Sequence, residues 1–336
     1  MKRWQFWLGL AVSIVFTWFA LRGLDLRKFW GALREANYWW LLPGVGVYFL
    51  AVWARAWRWH YLLRPLKSIP TARMFPIVAI GYMGNNIYPL RAGELLRAYV
   101  LRRTDDVPIP ASLATIFIER AFDGIVMLAF VFINLPRLTS LTTDSGYAGS
   151  IRGLALLGAA GFLSAVLIFL LMAAFTEPSR RVISWFTNLF VPRRFRASVE
   201  AAGETFLDGL AALRSPRDVA MVFLTSIVIW LLETGKYWFV MHAFPFTVSF
   251  FALMLMNGIV NLATTIPSAP GYIGTFDVPG IAVLEAFNVP NEFAVGYTLV
   301  LHAALWLPIT LLGAYYMTRE SLSWSQVQAE IAEESS

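Results

Sequence analysis

Runs of eighteen or more mostly apolar residues recur along this 336-residue chain, the first from Trp4 to Leu21, and each is long enough to cross a hydrocarbon core of ~30 Å as a helix. In hydrocarbon a spanning segment must satisfy its own backbone donors and acceptors, and runs of this length do so as helices. The expected fold class is all-α: a polytopic helical membrane protein, one transmembrane domain over 1–336. Full spans are expected near 4–21, 38–54, 107–135, 153–175, 219–243 and 295–317. Two further apolar stretches are interrupted. Residues 74–90 contain Pro76, Gly81, Gly84, Asn85, Asn86 and Pro89, and residues 251–288 contain Pro267, Pro270, Gly271, Gly274 and Pro279. Proline removes a backbone donor and glycine weakens a helix, so both stretches read as broken or re-entrant elements beside protein or a wet cavity.

Composition narrows the function. Hydrophobic residues make up 58% of the chain and charged residues 14%, and no polar stretch between the spans approaches the ~100 residues of a separate catalytic domain. The membrane part is therefore the functional part. With no cysteine, thiolate nucleophiles, disulfides and cysteine-based metal sites are excluded, and no cofactor, metal or nucleic-acid partner is expected. Met1-Lys2-Arg3 gives the start a signal-like basic flank, but the apolar run is long and lacks a small-residue cleavage site, so it reads as a retained span.

Lysine and arginine concentrate at 55–73, 91–103 and along the connection after span four, whereas 136–152 holds only Arg137 and Arg152 and 244–250 holds none. The positive-inside rule then places both termini in the cytoplasm of a cell membrane of prokaryotic type, with the basic loop at 22–37 as the exception. The order span, span, broken element, span occurs twice, over 1–135 and 153–317. Three crossings per half make the halves run in opposite senses, an inverted repeat, and paired interruptions at matching positions point to a midplane site between them. The two breaks share an echo, Pro89-x-x-x-Gly93 against Pro267-x-x-x-Gly271. Residues 177–218 are basic, with Phe195, Val199, Phe206, Leu210 and Leu213 at near-helical spacing, the pattern of an amphipathic helix on the inner leaflet; 320–336 is a polar tail.

The polar residues concentrate in four places. Asn85 and Asn86 precede Arg91, Glu94 and Arg97, three apart and on one face of a helix beginning after Pro89; guanidinium donors at a helix start suit a phosphate, and a plain headgroup anchor is the alternative. Glu119, Arg120 and Asp123 lie within one span, where each charge costs ~2.5–3.5 kcal/mol to insert, so they face the interior as a structural ion pair or as working groups. Glu233 and Lys236 repeat the device. Around the second break, Pro270, Gly271 and Gly274 permit close backbone approach, and Asp277 suits the first turn of a new helix. His60, His242 and His302 are scattered without sequence partners.

Pro89-x-Arg91-x-Gly93-Glu94-x-x-Arg97, Glu119-Arg120-x-x-Asp123 and Pro267-x-x-Pro270-Gly271-x-x-Gly274-x-x-Asp277 together resemble the transmembrane flippase region of lysylphosphatidylglycerol synthases and its stand-alone relatives, with Tyr272 and Asp277 in place of an expected glycine and glutamate. The resemblance implies re-entrant elements and lipid translocation: aminoacylated phospholipids in the synthases, polyprenyl-linked or other lipids in relatives. The aminoacyl-transfer domain has no counterpart here, so transport without synthesis is expected. The function read from the chain is a flippase for an anionic, aminoacylated or polyprenyl-phosphate-linked lipid. The alternatives are a membrane-embedded lipid-modifying transferase and a non-transporting scaffold. Expected partners are the lipid, a neighbouring synthase or glycosyltransferase, and further copies of the chain.

Overall fold

The structure, a computed structural model, describes residues 24–88, 92–141, 145–265 and 270–319. The expected span at 4–21, the tail at 320–336, and Pro89, Arg91 and Pro267 lie outside the described residues. Among those described there are twelve α-helices and no strand: α1 (Leu26–Glu35), α2 (Leu41–Leu63), α3 (Thr71–Ile87), α4 (Ala92–Asp105), α5 (Ile109–Leu141), α6 (Ser145–Ala174), α7 (Thr176–Phe190), α8 (Arg196–Gly209), α9 (Pro216–Met241), α10 (Phe250–Ala263), α11 (Asp277–Ala286) and α12 (Asn291–Arg319). Their starts follow local rules. Asp25 caps α1 through the Arg27 and Lys28 amides, and Ser215 caps α9 with Pro216 in its first turn.

Leu156–Ala174, Pro216–Met241 and Asn291–Arg319 are long and apolar enough to cross a membrane, matching three expected spans. Helix α2, at 23 residues, rises ~34 Å. It runs past the expected end at 54, and this corrects the sequence expectation for Arg55 and Arg58: they are not loop cations but buried residues inside the helix. Strip them from the 55–73 count and the orientation argument rests on Arg64, Lys67 and Arg73 there.

The first interrupted stretch also differs from expectation. Helix α3 continues through Pro76, Gly81 and Gly84, and the break comes only after Ile87. Helix α4 then folds back along it: Gly84 packs on Gly93 and Gly81 on Arg97, an antiparallel helical hairpin. Gly93 is required for this approach, since a Cβ there would lie 1.9 Å from the Gly81 carbonyl oxygen. In the second half α10, a 3-10 turn at Pro270–Tyr272 and α11 form the counterpart, with Gly280 against Met256 and Val260.

Pairing between the halves is reciprocal. The most extensive contact joins α2 to α9; α3 packs on α12, and its counterpart α10 packs on α5. Helices α2 and α9 run antiparallel, because Gly44 meets Val240, Arg55 meets Glu233, Arg58 meets Ser226 and Arg64 meets Asp218. The apolar core has two large clusters, one built mainly from α2 to α5 and the other mainly from α9 to α12, and a small third of Val126, Met127, Phe130, Trp230 and Met254.

The connection between the halves is two helices rather than one. Leu210 and Leu213 of its end are buried in the first-half cluster, and Gly209 sits against Ala111 and Ala114 of α5. Phe195 and Val199 are exposed as expected, and α7 adds a larger outward apolar face through Val182, Trp185, Phe186, Leu189 and Phe190.

Candidate functional site

A connected set of charges is drawn from α2, α4, α5 and α9, all of them buried except the half-buried Glu94 and Arg120. Asp123 accepts from Arg58 Nη1 at 2.5 Å, Arg55 Nη1 at 3.4 Å and Trp230 Nε1 at 2.9 Å, and lies 3.5 Å from Arg120 Nη1. Glu119 pairs with Arg97 at 2.7 Å and lies 3.6 Å from Arg58 Nε. Glu94 meets Arg120 at 2.9 Å. Glu233 bonds both Lys236 and, at 3.1 Å, Arg55. The Arg97 guanidinium also stacks 3.6 Å from the Trp59 ring centroid. Charges this deep persist only when partnered, and every carboxylate in the set has at least one cation. The balance is uneven: Arg55, Arg58, Arg97, Arg120 and Lys236 are five cations, against Glu94, Glu119, Asp123 and Glu233, four carboxylates, leaving one positive charge in excess among the described residues.

Two adjoining cavities open on this network. The first, about 120 Å³, is lined by charged Arg55, Arg120, Glu233 and Lys236, by the amides of Asn85, Asn86 and Asn261, and by Tyr48, Tyr82, Trp230, Trp306 and the Gly271–Tyr272 turn. At ~10–15 Å³ per water it has room for several, and its polar lining suits them. The second, about 210 Å³, is lined by Glu94, Arg120, Asp123, Asn261, Thr264 and Thr265 on one side and by Phe117, Met127 and Phe162 on the other. Arg120, Trp230, Asn261 and Thr264 line both and form the partition between them. Phe117 is half exposed on the outside of the helices, so the second cavity meets an apolar exterior.

The residues singled out from sequence fall as follows. Asn85, Asn86, Arg120, Glu233, Lys236 and Gly271 line the first cavity; Glu94, Arg120 and Asp123 line the second. Glu119 is buried beneath them, and Arg97 is tied to it rather than left open for a phosphate. Asn86 also ties the end of α3 to α12, donating to Thr310 Oγ1 at 2.8 Å while Trp306 Nε1 donates to its carbonyl oxygen at 3.3 Å. Pro270 opens the turn that holds Gly271, whose φ of 73° suits glycine and whose Cα faces Trp306 too closely for a side chain. Gly274 donates its amide to Asp277, which lies in the first turn of α11 as expected.

Sequence inspection missed Arg55, Arg58 and His302. The first two carried a signal: three apart, with Trp53, Trp57 and Trp59 around them and apolar residues continuing to Leu63, they repeat the spacing seen at Arg120 and Asp123. His302 carried none, since its partner is Asp277 on another helix, 2.8 Å away. His60 and His242 each bond a backbone carbonyl of their own neighbourhood.

Three relatives share most of this chain's length. Glycosyltransferase AglD of Haloferax volcanii is 25% identical over 300 residues, 81% of this chain but 47% of that protein, so the chain spans about half of it. A UPF0104 membrane protein of Methanocaldococcus jannaschii is 24% identical over 268 residues, covering 76% of this chain and 77% of the relative. Another UPF0104 membrane protein, from Methanothermobacter thermautotrophicus, is 25% identical over 296 residues, covering 82% and 80%. No solved structure matches the chain significantly. The family model described as the lysylphosphatidylglycerol synthase TM region matches residues 6–313, through both helical hairpins and the whole charge network, and the chain is a membrane protein of that family.

Proposed function

We propose that this protein moves a lipid with an anionic headgroup between leaflets, the headgroup passing through the two cavities while the acyl chains stay in the bilayer. The observation that carries this reading is the surplus positive charge of a mostly buried network that lines a polar cavity. An uncompensated charge at this depth is unfavourable, and a phosphate entering the first cavity beside Arg55, Arg120 and Lys236 neutralises it. The apolar rim of the second cavity fits the other half of an amphipathic molecule. Asparagine amides and aromatic faces in the first cavity suit a polyol or sugar on that phosphate, and the likeness to a protein named a glycosyltransferase favours a lipid that carries or receives a sugar. In this proposal the chain transports rather than modifies the lipid, sits in a prokaryotic cell membrane with both termini inside, and receives its lipid from a neighbouring synthase or glycosyltransferase.

The test uses the purified full chain in liposomes with fluorescently labelled phosphatidylglycerol. Transport makes more than the outer-leaflet half of the label accessible to a membrane-impermeant quencher, faster than in empty liposomes, and the recovered lipid runs unchanged on thin-layer chromatography. No acceleration removes the proposal, and a new lipid species assigns the site to a transferase.

A further inference from the structure

His302 of α12 is held between two hydrogen-bond acceptors. Its Nδ1 lies 2.8 Å from Asp277 Oδ1 and its Nε2 lies 2.7 Å from the Gly271 carbonyl oxygen. A neutral imidazole has one N–H and one lone pair, so it serves only one of two such partners; both contacts form together when the ring carries two protons or the carboxyl carries one. The arrangement therefore contains one proton more than a neutral histidine beside a carboxylate. Asp277 also accepts the Gly274 amide at 2.9 Å, a donor that suits its ionised form, which puts the extra proton on the ring.

We infer that His302 and Asp277 form a proton-binding site in the wall of the first cavity, and that the bound proton clasps the Gly271–Gly274 turn to α12. Both His302 and Gly271 line that cavity, so water reaches the site. On release, the proton leaves from Nε2 to cavity water and the remaining Nδ1–H stays with the carboxylate, the stronger acceptor. The Nε2 lone pair then faces the Gly271 oxygen, the contact becomes repulsive, and the turn loses this tie to α12. Phe276, whose ring centroid is 4.5 Å from that of His302, moves with the same turn. Other charged or titratable groups on this cavity are Tyr48 and Arg55 of α2, Tyr82 of α3, Arg120 of α5, Glu233 and Lys236 of α9, and Tyr272 of the turn itself. Asp277 is the carboxylate in direct contact with the ring. The proton site stands on this geometry; only what the clasp gates rests on the lipid-moving proposal.

Because the chain has three histidines and no cysteine, two measurements isolate the site without any lipid movement. In nanodiscs holding the full chain with ¹⁵N-labelled histidine, the signal absent from His302→Phe belongs to His302. In the native chain this signal is that of a doubly protonated ring under conditions where Asp277→Asn shows a singly protonated one. A singly protonated ring in the native chain, or a signal unaltered by Asp277→Asn, overturns the inference. The second measurement places a single cysteine at Ile273, in the turn and half exposed, and follows its maleimide labelling. Labelling at acid pH is severalfold slower than in the same variant carrying His302→Phe, and the two rates converge as pH rises. Equal rates at every pH remove the clasp. A chain that fails to move lipid leaves both measurements standing.

Discussion

Arg58 Nη1 donates to Asp123 Oδ1 at 2.5 Å, joining α2 to α5 where each side chain is 1% exposed. Removing one member of such a pair leaves the other charge buried and unmatched, a loss of about 3–5 kcal/mol. Asp123→Asn is therefore expected to lower the stability of the detergent-solubilised protein by about that amount. Arg58→Met and Asp123→Asn combined fall short of the sum of the single losses by on the order of 1 kcal/mol or more, because each removes the same contact. A strictly additive cycle from reversible SDS unfolding contradicts this coupling.

Lys236 supplies the charge that takes the network from balanced to positive. Its ammonium bonds Glu233 and lies 4.3 Å from the Tyr48 ring centroid, at the edge of the first cavity. Lys236→Gln leaves carboxylates and cations equal in number among the described residues, so affinity for a phosphate-bearing lipid is expected to fall about tenfold or more, the effect of one charge-assisted contact of about 1.5–3 kcal/mol. Native mass spectrometry of the gently extracted protein reads this directly as loss of bound anionic lipid. Retention of lipid at native occupancy places the anion elsewhere.

What could be read from the residues, and what could not, divides along physical lines. Apolar runs and interruptions are local signals, and they located α6, α9 and α12 and the breaks after Ile87 and around Pro270. The charged residues at 119–123 and 233–236 were equally plain, because ionisable groups inside apolar runs have few alternatives to the protein interior. Partner choice was not legible. Arg55 and Arg58 looked like the positive flank of a span, since an arginine near a span end serves equally as an anchor or as half of an ion pair 65 residues away. The Asp277–His302 contact depends on how α11 packs on α12, which no spacing along the chain encodes. In the connection after α6, periodicity identified amphipathic helices but not which apolar face meets protein, and Leu210 and Leu213 went inward where α7 kept its face outward.

Gly93 tests the first hairpin. A methyl group there would approach the Gly81 oxygen to 1.9 Å and the Asn85 amide nitrogen to 2.5 Å, both backbone atoms that cannot swing aside. Gly93→Ala is expected to separate α3 from α4 and to abolish the monodisperse gel-filtration peak. Gly46→Ala, where the added methyl meets nothing within 4 Å, is expected to be neutral or to stabilise α2 by up to about 1 kcal/mol. Equal behaviour of the two variants refutes the close-packed hairpin.

Helix α7 carries Trp185, Phe186, Leu189 and Phe190 exposed on one side, with Arg180 and Arg181 at its start and Arg193 and Arg194 just beyond its end. An exposed aromatic and aliphatic face bordered by cations lies stably only in a membrane interface, where the side chains sink among acyl chains and the guanidinium groups meet anionic headgroups. The cysteine-free chain makes this measurable with single spin labels. A label at Leu189 is expected to relax faster with oxygen, which concentrates in the bilayer, and a label at Arg181 faster with a water-soluble nickel complex. The contrast should weaken in vesicles lacking anionic lipid, since electrostatic attraction contributes about 1 kcal/mol per basic residue near the surface. If both labels respond alike in anionic vesicles, α7 stands clear of the membrane and its apolar face has a protein partner instead.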